Sequence, residues 1–151
     1  MTSAPPTDVT GDPTLVDPRA PRFGQTVTTS LLLAGIALQR PGAVYVVAVV
    51  LLTAAATGWR VDVWGALWRG LRPVVGAPVE REPAAPHRFA KLLGALGTSL
   101  ASVLLLAGSP VAGHAVAAAV ALAAGLAATT GICVGCRLYR QVGFARRLGV
   151  V

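Results

Sequence analysis

The chain has 151 residues, 54% of them hydrophobic and only 13% charged, with a formal net charge of +7 and a mean hydropathy of +0.67. That length is one domain's worth, and so little charge excludes an ordinary water-dispersed globule, whose surface needs far more. The cations lack the interleaved aromatics of a nucleic-acid groove, so no nucleic-acid partner is expected.

Residues 1–21 lack the basic start and apolar centre of a cleavable secretory leader. They are rich in Pro, Thr and Asp, and residues 1–15 are expected to form a mobile tail. Four apolar runs follow, at about residues 23–38, 43–58, 89–107 and 111–134. A bilayer core about 30 Å thick needs ~20 helical residues. The first two runs are short by that measure, and the first carries Gln25, Thr26, Thr28, Thr29 and Ser30. The near-absence of charge inside four consecutive runs nevertheless predicts an all-α membrane protein of four transmembrane helices rather than a hairpin buried in a soluble core. The transmembrane domain is expected over 16–140, with a basic tail over 141–151.

Of the 13 Lys and Arg, only Arg40 falls between the first and second or the third and fourth runs. Positively charged flanks resist translocation. Both termini and the central loop are therefore expected to be cytoplasmic, in a multi-pass protein of the cell's inner (plasma) membrane, with the bilayer's anionic head groups as partners of the arginines.

An acid, prolines, an arginine and a phenylalanine precede the first run (Asp17, Pro18, Arg19, Pro21, Arg22, Phe23) and again the third (Glu82, Pro83, Pro86, His87, Arg88, Phe89). Leu-Leu-Leu-Ala-Gly also occurs twice, at 31–35 and 104–108. Two parallel helical hairpins related by an axis along the membrane normal are expected, with halves at about 17–72 and 82–139. Proline is tolerated in a helix's first turn. Arg22 and Arg88 are then head-group anchors or anion contacts on one face, with His87 beside them.

Between the halves, Trp64, Leu67, Trp68 and Leu71 recur at helical spacing. They predict a short amphipathic helix in the membrane interface, ended by Pro73 and followed by a linker kept extended by Pro78, Pro83 and Pro86. The alanine-rich fourth run permits close helix approach, at the bundle centre or in a homo-oligomer. His114, at its outer end, reads as a head-group residue.

The two cysteines, Cys133 and Cys136, close this run just before Arg137, Arg140, Arg146 and Arg147. A permanent disulfide does not suit a reducing cytoplasm. A zinc site needs further ligands, from His87 or a second subunit, and no cofactor or metal is expected. Reversible thiol chemistry is left, beside plain packing of a helix end. Were Cys133 the end of the fourth helix, the dipole would disfavour a thiolate. Were Gly131 to break it and a new helix to start near Cys133, the dipole would favour one. Cys133 is the expected attacking thiol and Cys136 the resolving one, with Arg137 and Arg140 nearby and Tyr139 covering the pair.

The lead-in at 16–23, the Pro-His-Arg-Phe of 86–89 and the Cys-x-Gly-Cys-x-x-Tyr of 133–139 together resemble the bacterial domain-of-unknown-function family 4395 over about residues 15–140. The resemblance implies an actinobacterial-type integral membrane protein, encoded in some cases beside or fused to thioredoxin- or rhodanese-like domains. The leading expectation is a thiol-redox or sulfur-relay role with a soluble thioredoxin- or rhodanese-like partner. The alternatives are a small transporter or channel for a sulfur-containing or other anionic solute, with Gln25, Thr28 and Thr29 lining its path, and a structural or assembly subunit. Enzyme activity is left open.

Overall fold

The computed structural model describes residues 15–77 and 80–147. All but Leu15 of the expected tail lies outside these residues, as do Pro78 and residues 148–151. The described chain runs β1 (Leu15–Val16), α1 (Arg19–Ala37), α2 (Gly42–Ala56), α3 (Val63–Val75), β2 (Glu82–Pro83), α4 (Ala84–Leu106), α5 (Pro110–Thr130) and α6 (Val134–Arg147). It is an all-helical protein with one short bridge, in which Leu15 faces Pro83 and Val16 faces Glu82 antiparallel.

Four helices form a ring in which α1 packs on α2 and α5, and α4 packs on the same two. Short turns after α1 and α4 reverse the chain, so β1, β2, α3 and α6 gather at one end. There α3 packs on α1, and α6 on α4. Each half therefore follows the same order: strand, two bundle helices, capping helix. The Leu-Leu-Leu-Ala-Gly segments do not occupy matching places. Gly35 lies inside α1 against Ala43, whereas Gly108, at φ 79°, follows the end of α4.

The core is built from small residues and a few large ones. Leu32, Val44, Val47, Ala95, Ala101 and Ala117 are fully buried, and so is Thr98. Glycines set the helix spacing: a Cβ on Gly97 would fall 2.6 Å from Val120, and one on Gly113 2.6 Å from Leu105. Three hydroxyls of α1 are absorbed by neighbouring backbone. Thr29 donates to Ala121 O of α5 at 3.2 Å, and Thr26 and Ser30 donate to carbonyls one turn back.

Two helices, α4 and α5, are long and apolar enough to cross a membrane, and only 17% and 22% of their apolar stretches are buried within the protein. Most of each stretch therefore lies on the outside of the ring. Large apolar side chains such as Leu96, Leu100, Val103 and Leu122 point outward. Helix α2 is equally apolar but has 15 residues, about 22 Å at 1.5 Å per residue.

The helix α3 is pinned by its tryptophans. Trp64 is buried against Gly24 of α1. Trp68 stacks on Phe23 at 5.6 Å, lies under the Arg19 guanidinium and donates Nε1–H to Asp17 at 3.3 Å. Leu67 and Leu71, expected on the same face, are exposed. Burial pushes the Asp17 carboxyl up, but hydrogen bonds from the Arg19 side chain and backbone and from Trp68 outweigh it, and the net shift is downward. Its contribution to stability is present above the ordinary carboxylate range and is lost as pH falls through the depressed value. Pro73 does not end α3, which runs on to Val75 and stops at Gly76, φ 87°. Pro83 belongs to β2 and Pro86 to the first turn of α4, not to an extended linker.

Candidate functional site

The apolar run expected to continue to residue 134 breaks at Gly131. Its φ of 73° and ψ of 2° are left-handed, and its N–H closes α5 on Ala127 O at 3.1 Å. Glycine adopts this conformation without a Cβ penalty. Thr130 accepts the Ile132 N–H at 3.1 Å, which turns the chain into α6. The first bond of that helix runs from the Arg137 N–H to Cys133 O at 3.0 Å.

Cys133 thus stands at the N-cap of α6, and its Sγ accepts the Cys136 N–H at 3.2 Å. A serine at an N-cap would cap the third helical amide in the same way. Of the two geometries open in the sequence, this is the one in which amide dipoles converge on the first thiol, at the end where a helix favours negative charge.

Cys136 hydrogen-bonds to Cys133 and also faces α4. Its Sγ lies 3.9 Å from His87 Nδ1, and His87 Nε2 lies 2.9 Å from Glu82 Oε2. A carboxylate only accepts, so Nε2 carries the hydrogen shared with Glu82. In the neutral ring Nδ1 is then the acceptor for the Cys136 S–H. This Cys136–His87–Glu82 chain exists because α6 lies very close to α4. A Cβ on Gly135 would fall 2.7 Å from both Cα and Cβ of Ala90. The glycine between the cysteines is therefore a contact residue.

Burial pushes the Cys136 thiol up to about 12, helped by its hydrogen bond to Cys133 and by the negative charge of Cys133 and Glu82. Thiolate is the reactive form, so Cys136 stays protonated and slow near neutral pH. Iodoacetamide at pH 8 should modify Cys133 at least about tenfold faster than Cys136, as read by peptide mass spectrometry. Equal rates would contradict the assignment of roles.

His87, expected to contact anions or head groups, lies beside Cys136. Tyr139 stacks on Phe89 at 5.6 Å, because the turn of α6 that faces α4 at Gly135 returns to it at Tyr139. The Arg22 side chain reaches the joint between α5 and α6: a Cβ on Gly131 would fall 2.9 Å from its Nη2. Arg137 and Arg140 are exposed on α6, and Arg88 is half-buried beside His87. Among the described residues no group of three or more His, Cys, Asp or Glu is placed to hold a metal ion. Glu82 was read only as part of a lead-in motif, and nothing in the sequence linked it to the thiols.

A cavity of about 310 Å³ opens at this end of the bundle, with Cys133, His87, Trp64, Lys91, Gln25 and Thr28 among its lining. The rest of its wall is Ala, Gly, Val, Leu and Pro from all four ring helices and α6. Lys91 pairs with Asp62, a contact that ties α3 to α4. No curated protein and no solved structure matches the chain. A family model described as "Domain of unknown function (DUF4395)" matches residues 16–143, which span both halves of the bundle and the thiol pair, and the chain belongs to that family.

Proposed function

We propose that this protein is a multi-pass membrane thiol oxidoreductase that exchanges disulfides with a soluble thioredoxin-fold or sulfurtransferase partner at the end of the bundle carrying α6. The observation that carries the reading is the division of labour between the thiols. Cys133 stands at a helix N-terminus on the rim of a cavity, while Cys136, half-buried, lies beside a histidine oriented by a carboxylate. Buried structural cysteines need neither arrangement.

In the proposed exchange, the Cys133 thiolate attacks a partner disulfide and forms a mixed disulfide, releasing one partner sulfur as thiolate. Cys136 then attacks the Cys133 sulfur while His87 Nδ1 takes its proton. The Cys133–partner bond breaks, the intramolecular disulfide forms, and the second partner sulfur leaves as thiolate. The reverse sequence oxidises a partner dithiol, with protonated His87 returning the proton to Cys136.

Membrane insertion as four crossings extends what α4 and α5 alone support. Lipid-facing leucines and valines along the ring helices, small residues at their contacts and arginines massed at one end favour it. The matched order of elements, and the matched stacks of Phe23 on Trp68 and Phe89 on Tyr139, favour a duplicated origin. The charge asymmetry favours a cytoplasmic thiol end.

Cells expressing Cys136→Ser should accumulate one disulfide-linked adduct on Cys133, seen on a non-reducing gel and identified by mass spectrometry. Cys133→Ser should give none, with membrane insertion intact in both. An empty trap would contradict the exchange reading. Labelling of Cys133 by an impermeant maleimide in intact cells would reverse the orientation.

A further inference from the structure

The cavity at the thiol end is built for something more specific than a void. Its walls come from the small and apolar faces of the ring helices, including Gly24, Leu51, Gly94 and Val120. At about 310 Å³ it sits at the small end of the range of ligand pockets. Among its polar lining groups Lys91 is already paired with Asp62, and Trp64 is a donor with no acceptor function. The Trp64 indole Nε1 is buried without any hydrogen-bond partner, in a side chain 6% exposed. An orphaned buried donor is costly, and a ligand carbonyl reached by a small adjustment of the ring would relieve it.

A thiol forms part of the same wall. A ligand here would touch Cys133 while Cys136 waits one helical turn behind it. The apolar wall disfavours nucleotide cofactors, whose phosphates would enter desolvated. What fits is a neutral, mostly apolar molecule that offers a hydrogen-bond acceptor to Trp64 and can take two electrons from adjacent thiols.

We propose that this cavity binds the ring of a lipid-soluble quinone, which oxidises the Cys133–Cys136 dithiol to a disulfide. The inference rests on the thiol-exchange reading above and supplies its terminal electron acceptor. The two thiols lose two electrons and two protons as the S–S bond forms. The quinone gains both, and its two carbonyls become the hydroxyls of the quinol. Cys133 contributes its sulfur directly, and His87 passes on the proton of Cys136. The pair, once oxidised, takes electrons from the partner dithiol, which sets the direction of flow from partner to membrane.

The test uses the full chain, reduced and reconstituted in phosphatidylcholine nanodiscs without oxygen. The probe is a fully ring-substituted naphthoquinone with a short isoprenoid tail, which has no free ring carbon for thiol addition. The expected result is one quinol formed per disulfide, followed by absorbance and by thiol titration. Ala124→Leu, which fills the cavity, should slow oxidation at least about tenfold and leave iodoacetamide modification of Cys133 unchanged. Trp64→Phe, which keeps an aromatic ring and removes the N–H, should weaken quinone binding about three- to tenfold. Thiols that stay reduced, oxidation equally fast in Ala124→Leu, or quinone binding without electron transfer would each overturn the proposal. The Cys136→Ser trap reads the exchange reaction independently, so an adduct there with no quinol here would leave the exchange reading standing and remove the quinone.

Discussion

Replacing Gly135 by valine should detach α6 from α4 and expose Cys136, leaving the four-helix ring in place. The Cβ that any other residue adds falls 2.7 Å from Cα and Cβ of Ala90. Both are held in the second turn of α4, so neither can swing aside as a flexible side chain would. Overpacking of this kind costs about 1–3 kcal/mol even for a small insertion, and a β-branched residue adds two methyls at the same point. The cheapest relief is for α6 to move, because its packing is chiefly on α4 while the ring closes without it. Cys136 then leaves His87 and loses the burial that holds its thiol protonated. Its alkylation at pH 8 should rise at least about tenfold, while disulfide exchange with the partner falls to background. Gly143→Ala is the control within the same helix: a Cβ there meets nothing within 4 Å, and alanine stabilises an exposed helix by up to about 1 kcal/mol. If Gly135→Val leaves Cys136 as slow as before, the close approach of α6 to α4 does not shape the site.

How much of this was legible in the sequence depended on the range of the interaction. Apolar runs and prolines placed α1, α2, α4 and α5 to within a few residues, because hydropathy and lead-in chemistry are local. Hydropathy did not register the break at Gly131, since a left-handed glycine between apolar residues leaves the average unchanged. The spacing of Cys133 and Cys136 singled out the pair, and the N-cap geometry was one of two local options. Glu82 and His87 were visible only as parts of a lead-in motif. Their link to Cys136 spans 49 residues from His87 and arises from the β1–β2 bridge and the α4–α6 contact, neither of which has a periodicity to read. Trp64 was placed on the correct face of α3, but its burial against Gly24 required knowing that α3 folds back on α1. The polar residues of α1 looked like the lining of a path. Thr29 turned out to hold α5, while Gln25 and Thr28 reach the cavity.

Substitution of His87 by alanine should stall exchange at the mixed disulfide. Cys133 owes its position to the turn at Gly131 and the amides of α6, so its attack on the partner proceeds and iodoacetamide modifies it at the wild-type rate. The second step is different. Cys136 has to lose its proton to attack the Cys133 sulfur, and its surroundings hold that proton: burial and the Glu82 charge both raise the thiol. A base 3.9 Å from the sulfur is what makes the attack possible at neutral pH, and positioned proton transfer contributes about 10²–10⁴-fold. In single-turnover experiments with a disulfide-bearing partner, His87→Ala should therefore slow resolution at least about a hundredfold and accumulate the Cys133-linked adduct without the Cys136→Ser change. Glu82→Gln, which keeps a hydrogen-bonding group at Nε2 but removes its charge, should give a smaller defect of the same kind, because Glu82 orients the ring and supports its protonated form. A variant that accumulates no adduct would mean that Cys136 loses its proton to water, and that the Glu82–His87 pair only stitches β2 to α4.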